Sequence, residues 1–378
     1  MISGIKLENY KCFQEPIAFK CGKINIFSGI NGRGKSSAMQ ALLLLSQSIN
    51  ISNNWEYCHL KGEHINLGEY SDVKNSFAAR NKDIKITVSA NFGLELSIFG
   101  NEDEISSYRI KINNSDEIKS LLDASEQRDT LETLLKNIHY VSADRFGPQL
   151  FMEKIDLPRF VHVGRRGEYS FEILAQSKSD RLDLTPNKEL YRGEDANSLL
   201  QQTIEWMSYI LDGAKIELKG TDSDSAVLTM LINNRNEDTR LYKPVNIGFG
   251  YSYILPLIVA GLIAKPGEII IVENPEAHLH PRAQSRIAEF YSRIAASGVQ
   301  VFIETHSEHI LNGIRLSCVK PEIKLSNEEA SIFFFDDDFS VKTLSITEKG
   351  KLNNWPTGFF DQQELDLAEM YSITLKKK

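Results

Sequence analysis

The chain has 378 residues, 42% hydrophobic and 25% charged, which excludes a disordered polymer, a collagen and a coiled-coil rod and leaves room for two or three lobes. Lys and Arg total 43 against 51 Asp and Glu, a formal charge of -8, so no global basic field exists and any nucleic-acid contact has to be a local patch. Cys12, Cys21, Cys58 and Cys318 have neither zinc-site spacing nor the density of a disulfide scaffold, which points to a reducing, cytoplasmic setting.

The opening MISGIKLENYKCF interleaves charges with apolar residues and lacks the apolar core of a signal peptide. IKLENY, PIAF and KINIFS read as a small strand cluster. Ser36 to Ser48, SSAMQALLLLSQS, is apolar on every face and free of Gly and Pro, a helix buried on most sides. Between Asp83 and Ile112, IKITVSA, LELSIFG and YRIKI are separated by turn signals and predict an antiparallel meander. Asp116 to Ile138 reads as helix, and HYVSADRFGP as a strand and its exit. Phe151 to Arg192 carries Pro158, Gly164, Gly167 and Pro186, shows little period, and is expected to be loop-rich.

After Ala196 come a helix to about Leu211, strands in KIELKG and AVLTMLI, and a buried helix over Tyr251 to Ala264. That last stretch, with Pro256 inside it, falls short of the roughly 20 residues that span a bilayer. GEIIIVENPEAHLHP and VQVFIETHSEH are buried strands with polar ends. The helix between them, Arg282 to Ala296, places Ile287, Phe290, Tyr291 and Ile294 on one face. IFFFDDDFSVKTLSI reads as a hairpin, followed by a helix from about Gln362.

The motif with the most chemistry is GINGRGKS, Gly29 to Ser36, set between an apolar strand and a helix as G-x-x-x-x-G-K-[ST] requires. Its glycines let backbone N–H groups turn toward phosphate oxygens, and the helix start adds a positive dipole end. Asn31, Gly32, Arg33, Gly34, Lys35, Ser36 and Ser37 are therefore the nucleotide-contacting candidates. Lys35 is placed to reach the β and γ phosphates of ATP, and the Ser36 hydroxyl to ligate Mg2+. Four β-rich apolar residues deliver Glu273 to a second strand end, where a carboxylate can hold Mg2+ or its water. His306, at the tip of a third strand, can meet the γ-phosphate or the attacking water, or else cap the following helix, as can His309. A zinc site from His278, His280, His306 and His309 is the competing chemistry. Asp336 to Asp338 reads as a hairpin turn rather than a metal cluster, Arg165 and Arg166 as a solvent-facing pair able to meet phosphate, and Lys376 to Lys378 as a solvated tail.

In this order GINGRGKS, SADRFGP, NIGFGYSYILPL, VENPEAHLHP and THSEH resemble the ABC-type ATPases of the SMC-like, RecF-like and OLD-like group, over most of the chain. VGRRGEYS at Val163 to Ser170 and WPTGFFDQ at Trp355 to Gln362 narrow the resemblance to small bacterial AAA-type ATPases of phage-defence operons, such as the Septu system and its retron-linked relatives. The resemblance implies an α/β fold: an ABC-type P-loop ATPase head with an antiparallel β lobe, an inserted segment and a small C-terminal domain, without a long coiled coil. The expected segments are 1–75 and 201–320 for the two parts of the ATPase core, 76–200 for the lobe and insertion, and 321–378 for a C-terminal hairpin and helix.

The resemblance also implies ATP and Mg2+ as cofactors, Lys35 and Ser36 as the Walker A pair, Glu273 as the Walker B acid and His306 as the switch histidine. Gly248 to Ser252, with Gly250 as its phosphate-facing glycine, would be the signature segment that completes the site of a second copy in a head-to-tail dimer or higher oligomer. The residue after the Walker B acid, usually glutamate, is Asn274, which cannot accept a proton near neutral pH. Glu276 and Glu304 are the carboxylates left as base, with Glu276 preferred because Glu304 is expected to point away. Hydrolysis is accordingly expected to be slow, with ATP acting as a clamp that controls a nuclease effector in trans. An ATP-gated clamp or repair module on DNA and a transporter's nucleotide-binding subunit are the alternatives; no membrane partner is expected.

Overall fold

The computed structural model describes residues 1–52, 57–79, 81–90, 95–100, 109–111, 132–150, 152–179, 182, 184–193, 197–220, 225–232 and 241–376. Parallel pairing dominates its central sheet. In spatial order the six strands are β16 (Val341–Leu344), β15 (Ala330–Phe335), β3 (Ile24–Gly29), β14 (Gln300–Glu304), β13 (Ile269–Glu273) and β8 (Ile138–Val141). All neighbours run parallel except the edge strand β16, which forms an antiparallel hairpin with β15. Runs such as IIIV and VFI suit this position, because a strand covered on both faces needs apolar residues in both registers.

Period-two alternation divides these strands between two cores. Ile26, Val272, Ile303 and Ile332 belong to one, filled by helices α3 (Leu199–Ile210), α4 (Phe249–Ile263), α5 (Pro281–Ala296) and α6 (Glu308–Val319). Phe27, Ile271, Phe302 and Phe333 belong to the other, filled by α1 (Lys35–Ser52) and by an antiparallel sheet. That sheet has the order β2 (Ile17–Lys20), β1 (Ile2–Glu8), β5 (Ile84–Ala90), β6 (Glu95–Gly100). Between two sheets α1 has no solvent side for most of its length, which is why its sequence carries no polar stripe.

The meander forms only in part. β5 and β6 pair as expected, but YRIKI supplies β7 (Arg109–Lys111), which pairs with β4 (Tyr57–His59). The other edge of β5 is taken by β1, a partner from the chain start. The predicted helix of 116–138 lies largely outside the described residues. KIELKG and AVLTMLI form β10 (Ala214–Gly220) and β11 (Ser225–Ile232), flanked by β12 (Leu241–Tyr242) and β9 (Met152–Glu153). Within the segment expected to be loop-rich, Ser170–Lys178 is a helix, α2, with Ile173 and Leu174 buried. Nine residues are too few for a helical period to show against flanking glycines.

Of the segment 321–378, β15 and β16 extend the central sheet, and α7 (Gln362–Lys376) stands off it. The hairpin reading of IFFFDDDFSVKTLSI is matched residue for residue by the pairing of Phe335 with Val341. No described helix is long and apolar enough to cross a membrane.

Burial makes α1 the test of this architecture. Leu43 is fully buried and Ile51, one helix turn from the end, is 52% exposed. Leu43→Ala is expected to cost about 2–5 kcal/mol in urea unfolding followed by tryptophan fluorescence, while Ile51→Ala changes stability by no more than about 0.5 kcal/mol.

Candidate nucleotide-binding site

The loop from β3 into α1 is fixed from both sides. At Gly29, φ is 131° and an added Cβ would lie 2.2 Å from the Phe335 carbonyl oxygen, so only glycine lets β3 turn out against β15. The next amide, Ile30, donates to that same oxygen at 3.0 Å. At Gly34, φ is 102° and a Cβ would meet Cys12 Sγ and the Phe13 ring at 2.5–2.6 Å. Asn31 and Gly32 are exposed at the loop's crest. Arg33 lays its guanidinium over the Phe339 ring at 4.5 Å, and the Ser37 hydroxyl is hydrogen-bonded with Cys12.

Lys35 is buried and folds back over the loop, its Nζ donating to the carbonyls of Gly29 at 3.0 Å and Ile30 at 2.8 Å. Burial lowers its pKa, and the nearby Glu304 opposes that. These two carbonyls hold the ammonium at the place a phosphate oxygen can compete for. The Ser36 hydroxyl, at the first turn of α1, donates to Glu304 Oε1 at 3.0 Å.

The strand register explains why Glu304 is there. β14 lies between β3 and β13, and Phe27, Glu304 and Glu273 are direct partners in one row. An acid ending β14 is thus one strand nearer to Ser36 than an acid ending β13. Glu304 points into the site, contrary to the expectation that it points away. It is 7% exposed, and its Oε2 has no hydrogen-bond partner. Burial pushes its carboxyl up to about 7, opposed by the Ser36 hydrogen bond and Lys35 and reinforced by Glu273 and Glu276. Glu273 instead faces β8, with Oε1 accepting from the Tyr140 hydroxyl at 3.0 Å and Oε2 from the Ala143 amide at 3.1 Å. A hydroxyl, a half-satisfied buried carboxyl and a second carboxylate form an oxygen set that fits a hard divalent cation.

Beyond Glu273 the chain turns sharply. Asn274 has φ 44°, its amide donates to the Glu304 carbonyl at 2.8 Å, and its buried Oδ1 has no hydrogen-bond partner. Arg145, 2% exposed, braces this turn by donating to the carbonyls of Ser142, Glu273 and Asn274 at 2.7–2.9 Å. Sequence reasoning missed both Arg145 and Tyr140 as site supports, although SADRFGP, which contains Arg145, marked the place.

Glu276 reaches the β14 exit and accepts from the Thr305 hydroxyl at 2.8 Å and the His306 amide at 2.7 Å. Burial raises its carboxyl pKa, and these hydrogen bonds pull the other way. His306 is exposed; partial burial and the Lys35 charge hold its imidazole below the ordinary histidine range. Neither His306 nor His309 caps α6: Ser307 does, its Oγ accepting from the amides of His309 and Ile310.

Gly250 lies in the first turn of α4, where an added Cβ would be 2.7 Å from the His278 carbonyl oxygen. The helix N-cap, Gly248, offers no side chain, so the first amides of α4 stay open to an anion, beside Phe249, which is 52% exposed.

The zinc alternative does not assemble. His278 stacks with Phe249 and Tyr253, His280 caps α5, and the one three-ligand cluster among the described residues is Asp336 to Asp338. That cluster is a turn whose carboxylates take Lys342 and the amides of Asp337 and Ser340. Arg165 and Arg166 are not a free pair, because Arg166 bonds Asp144 and lies over the Phe146 ring.

A family model described as "AAA domain, putative AbiEii toxin, Type IV TA system" matches residues 24–312, and one for a protein of unknown function, DUF3696, matches residues 325–370. No curated protein gives a significant match. Among solved structures, an Smc head bound to the C-winged helix domain of ScpA is 15% identical with a TM-score of 0.48, covering 92% of this chain and 97% of that one. The SMC head domain from Thermotoga maritima is 9% identical with a TM-score of 0.43, covering 92% and 99%. An Smc head with an extended coiled coil, bound to the C-terminal domain of ScpA from Pyrococcus furiosus, is 13% identical with a TM-score of 0.46, covering 98% and 99%. Because the first family model runs from β3 into α6 and takes in Lys35, Glu273, Glu304 and His306, the chain belongs to that AAA-domain family and is an ATP-binding P-loop protein.

Proposed function

We propose that the chain binds ATP with Mg2+ at the β3–α1 loop, hydrolyses it slowly, and pairs head to tail in the ATP-bound state so that its assembly controls a nuclease effector in antiviral defence. The observation that carries this reading is the convergence of Lys35, Ser36 and Glu304 at one sheet edge while Asn274 occupies the position of the usual base. Mg2+ held by Ser36, with Glu304 and Glu273 close behind, would supply charge neutralisation at the phosphates.

The chain's own groups divide the work. Lys35 exchanges two backbone carbonyls for phosphate oxygens, and Arg145 keeps the Glu273–Asn274 turn rigid. Glu276 positions His306 through its main chain, so both of its oxygens are engaged and it is a poor base. No other carboxylate is presented for water activation except Glu304, which sits against Ser36. Binding therefore outlasts chemistry, which suits a clamp. The open first turn of α4, with Gly250, is the surface for the phosphates bound by a second copy.

Lys35→Ala is expected to weaken ATP binding at least about tenfold in calorimetric titration, since a charge-assisted hydrogen bond contributes about 1.5–3 kcal/mol. The same variant should abolish ATP-dependent pairing and release the nuclease encoded beside it from control in a reconstituted cleavage assay. ATP-stimulated, strongly salt-dependent DNA binding by the chain alone would instead favour the DNA clamp. Asn274→Glu should raise steady-state hydrolysis at least about tenfold by supplying a base, provided its melting temperature shows that the left-handed turn tolerates glutamate.

The Glu304 carboxyl, at about 7 in the fold against an ordinary 4.5, binds its proton more tightly in the folded chain. Its contribution to stability is therefore complete below pH 4.5 and lost as pH rises through 7. Without nucleotide and in EDTA, the thermal midpoint should fall between pH 5 and 8 more steeply for the native chain than for Glu304→Gln.

A further inference from the structure

α7 lies outside both cores. Every described side chain from Gln362 to Leu375 is exposed, including Leu365, Leu367, Met370, Tyr371, Ile373 and Leu375 at 48–68%. At 100° per residue these six are spread around the helix instead of forming one stripe, the pattern of a helix covered on more than one side. A lone helix of 15 residues is also marginal in water, so its stability has to come from packing.

The root of α7, by contrast, is locked to the head. Phe359 is 1% exposed, with its ring 5.1 Å from Phe334 of β15 and 5.3 Å from Trp355, over which Arg315 of α6 lies. Asp361 closes the entry, its Oδ2 accepting from the Gly358 amide and its carbonyl from the Leu365 amide. The head thus presents an uncovered apolar helix in a fixed direction.

The charge sequence identifies what covers it. Acids occupy the first two-thirds, at Glu364, Asp366 and Glu369, and the chain ends in three lysines, 376–378. Laid antiparallel, two copies set each acidic half against the other's lysines, whereas a parallel pair sets like charges together. We propose that α7 is a homodimerisation element that packs antiparallel on α7 of a second copy and needs no nucleotide. The contact is isologous and separate from head-to-tail pairing through α4. Two different self-interfaces on one chain give assemblies larger than a dimer once ATP engages the heads.

Sedimentation velocity of the full chain, nucleotide-free in EDTA at low micromolar concentration, should give twice the 42.8 kDa chain mass. Leu367→Asp with Tyr371→Asp should weaken association at least a hundredfold and leave the melting temperature and ATP affinity unchanged. Glu364→Lys with Asp366→Lys, and separately Lys376→Glu with Lys377→Glu, should each give single chains that dimerise when mixed. A native chain of single mass without nucleotide, or a dimer indifferent to the Leu367 and Tyr371 changes, overturns the proposal. Dimers that survive both charge reversals overturn the antiparallel arrangement.

Discussion

Three parallel strands, β3, β14 and β13, set one constraint that the site inherits: Phe27, Glu304 and Glu273 stand in a single row at the carboxyl edge of the sheet. Beside that row β3 breaks into the glycine loop, and α1 starts with Lys35 and Ser36. Two carboxyl groups on neighbouring strands, one of them buried, cannot both be comfortable as anions. The protein resolves the conflict unequally. Glu273 is hydrogen-bonded toward β8, and Glu304 keeps its proton near neutral pH beside Ser36 and Lys35. A site so arranged gains most from a ligand that brings positive charge to Glu304 and negative charge to Lys35 together.

The loop itself is held by parts of the chain that are far away in sequence. Phe335, at the end of the hairpin strand β15, receives the Ile30 amide and closes the space over Gly29, while Cys12 and Phe13 close it over Gly34. Arg33 reaches the same hairpin through Phe339. The C-terminal hairpin is therefore part of the nucleotide site's frame, and it carries, through Phe334 and Phe359, the root of α7. One strand thus links the loop that reads the nucleotide to the helix that offers an assembly surface, a mechanical connection made of side-chain packing.

Asn274 fits its position for a backbone reason as well as a chemical one. At φ 44° a β13 exit that turns back to bond the Glu304 carbonyl favours asparagine over glutamate. The turn that Arg145 clamps has given up a base and gained rigidity, which accords with a nucleotide used for holding more than for turnover.

The sequence alone determined what depends on local pattern. The strand–glycine loop–helix unit, the all-apolar α1, the polar-ended β13 and β14, and the hairpin at Asp336 to Asp338 are each dictated by neighbours within a few residues. Tertiary structure decided everything that depends on strand order. Sequence spacing placed Glu273 and Glu276 nearest the chemistry, but β14 lies between β3 and β13, so Glu304 meets Ser36 and Glu276 is drawn to Thr305 and His306. Arg145 and Tyr140 act from β8 and its exit, across the sheet from the loop, and no local period announces them. Likewise the pairing of YRIKI with Tyr57–His59, and the exposure of an α7 that reads as apolar on all sides, follow from which surfaces were already occupied. Local residues choose an element's shape; the competition among elements for partners fixes which side chains meet.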